Sequence, residues 1–492
     1  MIFTPEQKRF FLFLVKRYEH TLLKAYAGCG KTTTIVEGVK LIPKDKSIMF
    51  LAFNKHIKEE LQTKLPEHVR CYTTYGLGNA AIKRKYKDTI QFDEFKIDKI
   101  ILKKSKSWNL NEELKDDNEI SIYLNDIKKL VNFCRLTLTL KPDYIPYIAE
   151  RYEVPLTKSK DIKRVLKVLD TATNDRKSYD YTDMVYLPAV DNSIWMFPQD
   201  YVFVDEVQDL NRCQIKIIEK ILKRDKMSGK ITGRLISVGD FFQGIYGFNA
   251  ADEKSFQWFE KFQNTKVLPL SISFRCSKAV IRKAQEIVPE IRALENAPEG
   301  MVRDGSALDE AKSGDFILCR TTMPLVQMFF QFLIQNKKAI IKGSDIGIHL
   351  IELIGKINSI EKLITFWEGE LAMFRKDLKN EGVLNPNEHT GYSALEDKVL
   401  TLLFLARISE SITDLKNKIT VIFTDNIEGI CLSTVHKVKG LEANRVFIIR
   451  PDLLPMDVRK PWQVIQEKNL EYVAYTRAKL ELIFDREWTN EE

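Results

Sequence analysis

Residues spaced to hold a phosphate chain occur early in the sequence, as Ala25-Tyr26-Ala27-Gly28-Cys29-Gly30-Lys31-Thr32. The apolar run 22–25 reads as a strand, and the stretch opening Thr33-Thr34-Ile35-Val36 reads as a helix; a phosphate loop needs both neighbours. Gly28 and Gly30 let the backbone turn tightly and aim N–H groups at phosphate oxygens, and the helix start adds a partial positive charge. The cradle would run from Ala27 through Thr33. In it Lys31 would reach the β- and γ-phosphates and Thr32 would offer its hydroxyl to Mg²⁺. The general pattern has glycine where Ala25 stands, and an incidental glycine-rich turn is the plainer alternative. Cys29 reads as a redox switch or, more simply, as a small side chain tolerated in a tight loop.

A second constellation lies far downstream. Tyr201-Val202-Phe203-Val204 runs into Asp205-Glu206-Val207-Gln208-Asp209. Asp205 would hold Mg²⁺ through its water shell, since that ion takes oxygen ligands and keeps several waters. Glu206 would orient the attacking water or accept its proton. An acidic pair after a strand is common by itself. Behind a phosphate loop, it points to hydrolysis of a nucleoside triphosphate.

The elements that must carry these groups are legible as short apolar runs at 22–25, 48–53, 201–204, 235–238, 316–319, 430–434, 446–449 and 480–484. Such runs suit parallel strands buried on both faces, with chemistry at their carboxyl ends. Two stretches break the rhythm. Around 80–170 the sequence is lysine-rich with a helical period that puts Tyr123, Ile127, Leu130, Val131 and Cys134 on one face. Around 344–429 Leu395, Val399, Leu402 and Ala406 repeat the pattern. The expected architecture is α/β: a first domain over 1–79 and 170–265 with a helical insertion at 80–169, and a second over 266–343 and 430–492 with an insertion at 344–429.

Bulk properties bound the answer without deciding it. A chain of 492 residues exceeds one hydrophobic core, and its 44% hydrophobic and 29% charged residues describe a folded, water-facing protein. Lys plus Arg exceed Asp plus Glu by 76 to 68. This mild excess permits nucleic-acid binding, and a slightly biased solvated surface explains it equally well. The seven cysteines are scattered with no C-x-x-C pair, so neither a disulfide framework nor a zinc site is expected, and a reducing compartment is. No stretch reads as a signal peptide or a bilayer span, so a soluble, cytoplasmic protein is expected.

Further motifs complete an ordered series. They are Thr4-Pro5-Glu6-Gln7; Val238-Gly239-Asp240-Phe241-Phe242-Gln243-Gly244-Ile245-Tyr246-Gly247-Phe248; Leu270-Ser271-Ile272-Ser273-Phe274-Arg275-Cys276-Ser277; Thr434-Val435-His436-Lys437-Val438-Lys439-Gly440-Leu441-Glu442; and Tyr472-Val473-Ala474-Tyr475-Thr476-Arg477-Ala478. Together with the phosphate loop and the D-E-x-Q-D segment, the series resembles the superfamily 1 helicases of the UvrD/Rep group. That group's loop commonly begins with alanine, which accounts for Ala25.

The resemblance implies two RecA-like P-loop NTPase domains with ATP in the cleft between them. It implies that Gln7 reads adenine, that Phe274 stacks on the base, and that Glu442 accepts a hydrogen bond from ribose. Gln243 would sense the γ-phosphate, and Arg275 and Arg477 would act as arginine fingers, although a lone arginine is by default a surface salt bridge. DNA contacts are implied for Phe53, Asn54, Thr73, Tyr75, Tyr246, Phe248, Thr434 and His436. Each aromatic is open to the blander reading of a core residue. Departures fall on this track: Tyr75 where His is usual, Asn249 where Arg is common, Ser273 for Asn, and an aromatic shifted to Phe53. The implied activity is a 3′–5′ DNA helicase using Mg²⁺ and ATP, monomeric, acting on single strands and their junctions with duplex, alongside other replication or repair proteins. A translocase that strips proteins from single strands fits the same motifs. A binding scaffold with a decayed ATPase is the rival from another class.

Overall fold

The computed structural model describes residues 3–488 apart from 115–116, 248–249, 252–253, 381–382, 384, 387–388, 427 and 459. The chain forms two compact units, Met1–Ala25 with Gly30–Leu270, and Tyr26–Cys29 with Ser271–Glu492.

The first unit is built on a six-stranded parallel sheet. Its order is Arg70–Thr73, Ile48–Ala52, Tyr201–Val204, Arg234–Gly239, Thr21–Ala25 and Lys266–Leu270. The central runs are buried throughout, as expected for strands covered on both faces. The boundary read from sequence lay at 265/266. Lys266–Leu270 instead pairs with Thr21–Ala25, and the first unit runs to Leu270. The sequence boundaries at 79/80 and 169/170 fall inside continuous helices, Thr74–Tyr86 and Ser159–Asn174.

The opening helix Pro5–Lys16 shows why local sequence suffices here. Thr4 Oγ1 accepts from Gln7 N at 3.2 Å, Gln7 Oε1 accepts from Thr4 N at 2.9 Å, and proline opens the first turn. Phe10 and Leu14 bury the inner stripe. At the opposite end of the neighbouring strand, His20 Nδ1 accepts the Leu235 N–H at 3.0 Å, and its ring lies 4.8 Å from that of Phe262.

Helices Lys96–Ser105, Asp117–Leu136, Ile145–Arg151 and Ser159–Asn174 enclose a core of their own, with Ile127, Leu130, Val131 and Cys134 fully buried. A buried charge network ties them to the rest of the unit. Arg135 donates to Asp180 at 2.6 and 2.8 Å and to Asp183 at 2.7 Å, while Lys96 donates to Asp183 at 2.7 Å and to Ala172 O at 2.9 Å.

The second unit has a seven-stranded parallel sheet in the order Met301–Asp304, Ala478–Asp485, Ala443–Ile449, Phe316–Cys319, Ile430–Thr434, Ala339–Lys342 and Phe423–Thr424. Helices Ser344–Ile354, Ile360–Asn380, Thr390–Arg407 and Ile412–Ile422 have no separate main core. Leu350, Leu363, Leu402 and Ile419 join Ile317, Leu432 and Phe447 in one cluster. Among the described residues no helix is long and apolar enough to cross a membrane.

Burial drives the pKa of His20 down to about 4, with Arg234 adding to the effect. The unfolded chain therefore takes up a proton that the folded one refuses between pH 6.5 and 4. Stability should fall across that window as pH is lowered, by about 3 kcal/mol in total. Urea titrations at stepped pH should show this slope in the native protein. Over that window the native protein should lose about 3 kcal/mol more than His20→Asn, whose amide oxygen can accept the Leu235 N–H without titrating.

Candidate nucleotide site and nucleic-acid surface

Three adjacent strands of the first sheet, Thr21–Ala25, Arg234–Gly239 and Tyr201–Val204, deliver three functional segments from their carboxyl ends. Helix Lys31–Val39 starts behind Gly30, which sits in the left-handed region at φ 71°. Gly30 O accepts from the Thr34 hydroxyl at 2.8 Å. Lys31 Nζ then donates to both Glu206 oxygens, at 2.8 and 3.0 Å. Glu206 is itself held at φ 50°, a conformation that costs a non-glycine residue on the order of 1 kcal/mol and is typical of constrained functional positions.

Charge at this point is unbalanced. Burial opposes the Lys31 ammonium, yet Glu206, Asp240 and Asp205 together raise its pKa, so it stays charged. Asp205 is buried, and burial with the neighbouring Glu206 charge pushes it up to about 7 against the pull of Lys31. Burial pushes Asp240 up to about 6, Lys31 again opposing. One ammonium thus faces three carboxylates, and a second cation would relieve them. The donor set is hard oxygen, which suits Mg²⁺: Asp205 would hold it with the hydroxyl of half-buried Thr32. Such an ion, when bound, supplies charge neutralisation at phosphate oxygens. Among the described residues no three His, Cys, Asp or Glu side chains gather as a metal cage.

The remaining first-unit candidates are placed as follows. Gln7 is buried, and its amide also donates to Thr34 Oγ1 at 2.8 Å, pinning the opening helix to the phosphate-loop helix. Gln243 is buried and donates to Asp240 Oδ2 at 2.8 Å. Thr33 is exposed. Phe53 and Tyr246, both half-buried, stack with ring centres 6.1 Å apart and planes 13° from parallel. Asn54 and Thr73 each cap a helix, accepting from Ile57 N at 2.9 Å and Gly76 N at 3.0 Å. Tyr75 packs against the apolar core, and burial raises its phenol pKa. Phe248 and Asn249 lie outside the described residues.

In the second unit Arg275 and Arg477 come together. Arg275 pairs with Glu442, which also accepts from Lys479 at 2.8 Å, and Arg275 Nη1 donates to Thr476 O at 3.3 Å. Arg477 is 1% exposed and, among the described residues, donates to neutral oxygens: Val473 O at 2.9 Å, Leu441 O at 3.1 Å and the Thr476 hydroxyl at 3.3 Å. Burial, with Arg275 close by, drives its pKa down to about 9. A guanidinium buried beside another, with Glu442 near it but bonded to Arg275 and Lys479, has room for a further anion. Phe274 presents its ring to solvent at 45% exposure, as a stacking surface must.

The loop Tyr26–Cys29 packs within this unit. Gly28 O accepts from Phe274 N at 2.9 Å, Ala27 N donates to the Tyr472 hydroxyl at 2.9 Å, and Cys29 is buried. A Cβ on Gly28 would lie 2.6 Å from Arg275 Cβ, so only glycine fits. Thr434 is buried at a strand end. His436 is half-buried; burial, with Arg320, Lys437 and Lys439 nearby, keeps it neutral.

Sequence reasoning assigned no role to Asp240, Gln208, Lys479 or Tyr472. Asp240 was within reach of it, because it too is a carboxylate closing a buried strand, as Asp205 is.

Comparison with known proteins adds the relatives. Residues 4–264 match the UvrD/REP helicase N-terminal domain, and residues 321–486 match the UvrD-like helicase C-terminal domain. Across 98% of its length the chain is 26% identical to F-box DNA helicase protein 1 of Schizosaccharomyces pombe, of which it covers 57%. Across 97% it is 24% identical to F-box DNA helicase 1 of Gallus gallus, of which it covers 48%. A shorter stretch of 89 residues is 34% identical to the ATP-dependent DNA helicase PcrA of Bacillus subtilis, covering 18% of this chain and 11% of that protein. The chain spans about half the length of the two F-box helicases it matches.

The charge imbalance has a measurable consequence in the ligand-free protein. Lys31→Met should leave Asp205, Glu206 and Asp240 without their shared cation. The expected loss is about 3 kcal/mol of unfolding free energy at pH 8, shrinking as the carboxylates protonate at lower pH. Urea denaturation at pH 8 and pH 5 reads both effects. Equal losses at the two pH values would rule out this account of the cluster.

Proposed function

The chain belongs to the UvrD/Rep helicase family, and from that membership we propose that it is an ATP-driven DNA helicase that translocates 3′ to 5′ on single strands. The observation that carries the proposal is Lys31, bonded to Glu206 at the head of the phosphate-loop helix with Asp205 and Asp240 beside it. Lys31 and the backbone of residues 27–33 bind the triphosphate, Glu206 orients the attacking water, and Thr32 and Asp205 would hold Mg²⁺. Gln243 senses the γ-phosphate. Arg275 and Arg477 spread the charge that builds up on the phosphoryl group in the transition state. Gln7, Phe274 and Glu442 read the nucleoside.

The same reading assigns single-stranded DNA to the stacked pair Phe53 and Tyr246, to Asn54, Thr73, Tyr75 and Phe248, and to Thr434 and His436 in the second unit. The helical segments within 80–169 and 344–429 act as insertions that handle the junction with duplex. A monomer inside the cell, meeting other replication or repair proteins on DNA, completes the reading.

ATP hydrolysis by the full chain should rise at least about tenfold when single-stranded DNA is added, and Glu206→Gln should retain nucleotide binding while losing turnover by about a hundredfold or more. Duplexes with a 3′ tail should be unwound and those with a 5′ tail left intact. Equal hydrolysis with and without DNA would sink the motor. Hydrolysis that displaces a bound protein but no strand would replace unwinding with protein removal.

A further inference from the structure

Gln208 is the member of the D-E-x-Q-D segment to which the reading above gives no task. It lies in the short 3₁₀ turn Val207–Asp209 and is 6% exposed. Its amide is engaged at both ends. Nε2 donates to Glu206 Oε2, with a longer contact to Asp209 Oδ2 at 3.3 Å, and Oε1 accepts from Asp240 N at 3.1 Å. Asp240 in turn accepts from Gln243 Nε2 at 2.8 Å and from Phe242 N at 3.1 Å. A path of hydrogen bonds, joined through the covalent frame of Asp240, therefore runs from the carboxylate of Glu206 through Gln208 and Asp240 to Gln243, three residues before Tyr246.

Space around the amide is matched to it. Gly239 is not in a left-handed conformation, so its backbone does not demand glycine. A Cβ there would instead lie 2.5 Å from Gln208 Oε1 and 2.7 Å from Val207 Cγ2. Glycine at 239 is the condition for the amide to reach Asp240.

Of the groups that hold the Glu206 carboxylate, Lys31 and Gln208 differ in kind. Lys31 holds it by charge, and a triphosphate would compete for that ammonium. Gln208 is neutral, so no phosphate draws it away. We propose that Gln208 is a positioning residue that keeps Glu206 aimed at the attacking water once Lys31 has turned to nucleotide. Through Asp240 and Gln243 it also ties that aim to the segment ending at Tyr246. DNA held on that segment would then tighten the orientation of Glu206, and hydrolysis would speed up for that reason. This rests on the proposed motor reading.

Two variants test the link from opposite ends. Gln208→Met keeps the volume and removes both hydrogen bonds; Gly239→Ala leaves Gln208 in place and pushes its amide off Asp240. Each should melt within a few degrees of the native protein and bind a fluorescent ATP analogue within about twofold of it. KM for ATP should hardly change, while kcat in the presence of single-stranded DNA falls about tenfold or more, a loss typical of disturbing an oriented base. Hydrolysis without DNA should fall much less, so the stimulation ratio collapses. Gln208→Glu keeps the acceptor for Asp240 N but sets a like charge against Glu206, and it should be as impaired as Gln208→Met. If the native protein responds to DNA and both Gln208→Met and Gly239→Ala keep its stimulation ratio, the proposal is overturned. It is equally overturned if KM rises in step with the loss of kcat, or if hydrolysis falls by the same factor with and without DNA. If the native protein itself shows no response to DNA, the motor reading fails first.

Discussion

The Lys31 ammonium set among Glu206, Asp205 and Asp240 is the interaction on which the first unit's chemistry depends. A lone buried ammonium would shed its proton and a lone buried carboxylate would take one up. Here the carboxylates keep Lys31 charged and Lys31 opposes the burial that pushes Asp205 and Asp240 up, and the excess of negative charge leaves room for a further cation. The three strands that deliver these groups must lie side by side for this to happen. Their apolar interiors bring them together, and the charged residues sit just beyond the carboxyl ends where the sheet stops covering them.

The second unit presents the opposite imbalance. Arg477 is buried against carbonyl and hydroxyl oxygens, with Arg275 next to it, and Glu442 shared between Arg275 and Lys479. One unit is short of positive charge and the other holds positive charge short of a counterion.

Much of this was readable in advance, for a definite reason. Seven of the eight apolar runs marked in the sequence lie within strands and the eighth, 48–53, overruns its strand Ile48–Ala52 by one residue, because interior strands of a parallel sheet are apolar throughout. The strands that escaped notice are chiefly edge strands, Arg70–Thr73, Lys266–Leu270, Met301–Asp304 and Phe423–Thr424. An edge strand is half open to water, so it carries Arg, Lys and Asp and can hold Pro269, and no apolar run marks it. That is also why the first unit was ended before Lys266. The site followed the same logic. Lys31, Asp205 and Glu206 are revealed by their spacing after a strand. The work of Gln208 and the reason for Gly239 depend on the Gln208 side chain meeting backbone 31 residues away at the end of the neighbouring strand, and spacing carries no record of that.

The two helical segments are fastened in different ways, and this bears on how the protein comes apart. Most of the second unit's inserted helices share the apolar core of their sheet, with a small separate cluster around Leu378 and Tyr392, so amide hydrogens in the shared core should exchange at a common slow rate. The four helices around Ile127 and Leu130 keep a core of their own and are tied down through Arg135, Lys96, Asp180 and Asp183. Apart from Leu136 and Leu138, which pack against the core of the sheet, the segment's buried apolar side chains lie in its own cluster. This segment is therefore the natural place for a separate cooperative step, one that can come loose and re-form while the sheet beneath it stays closed.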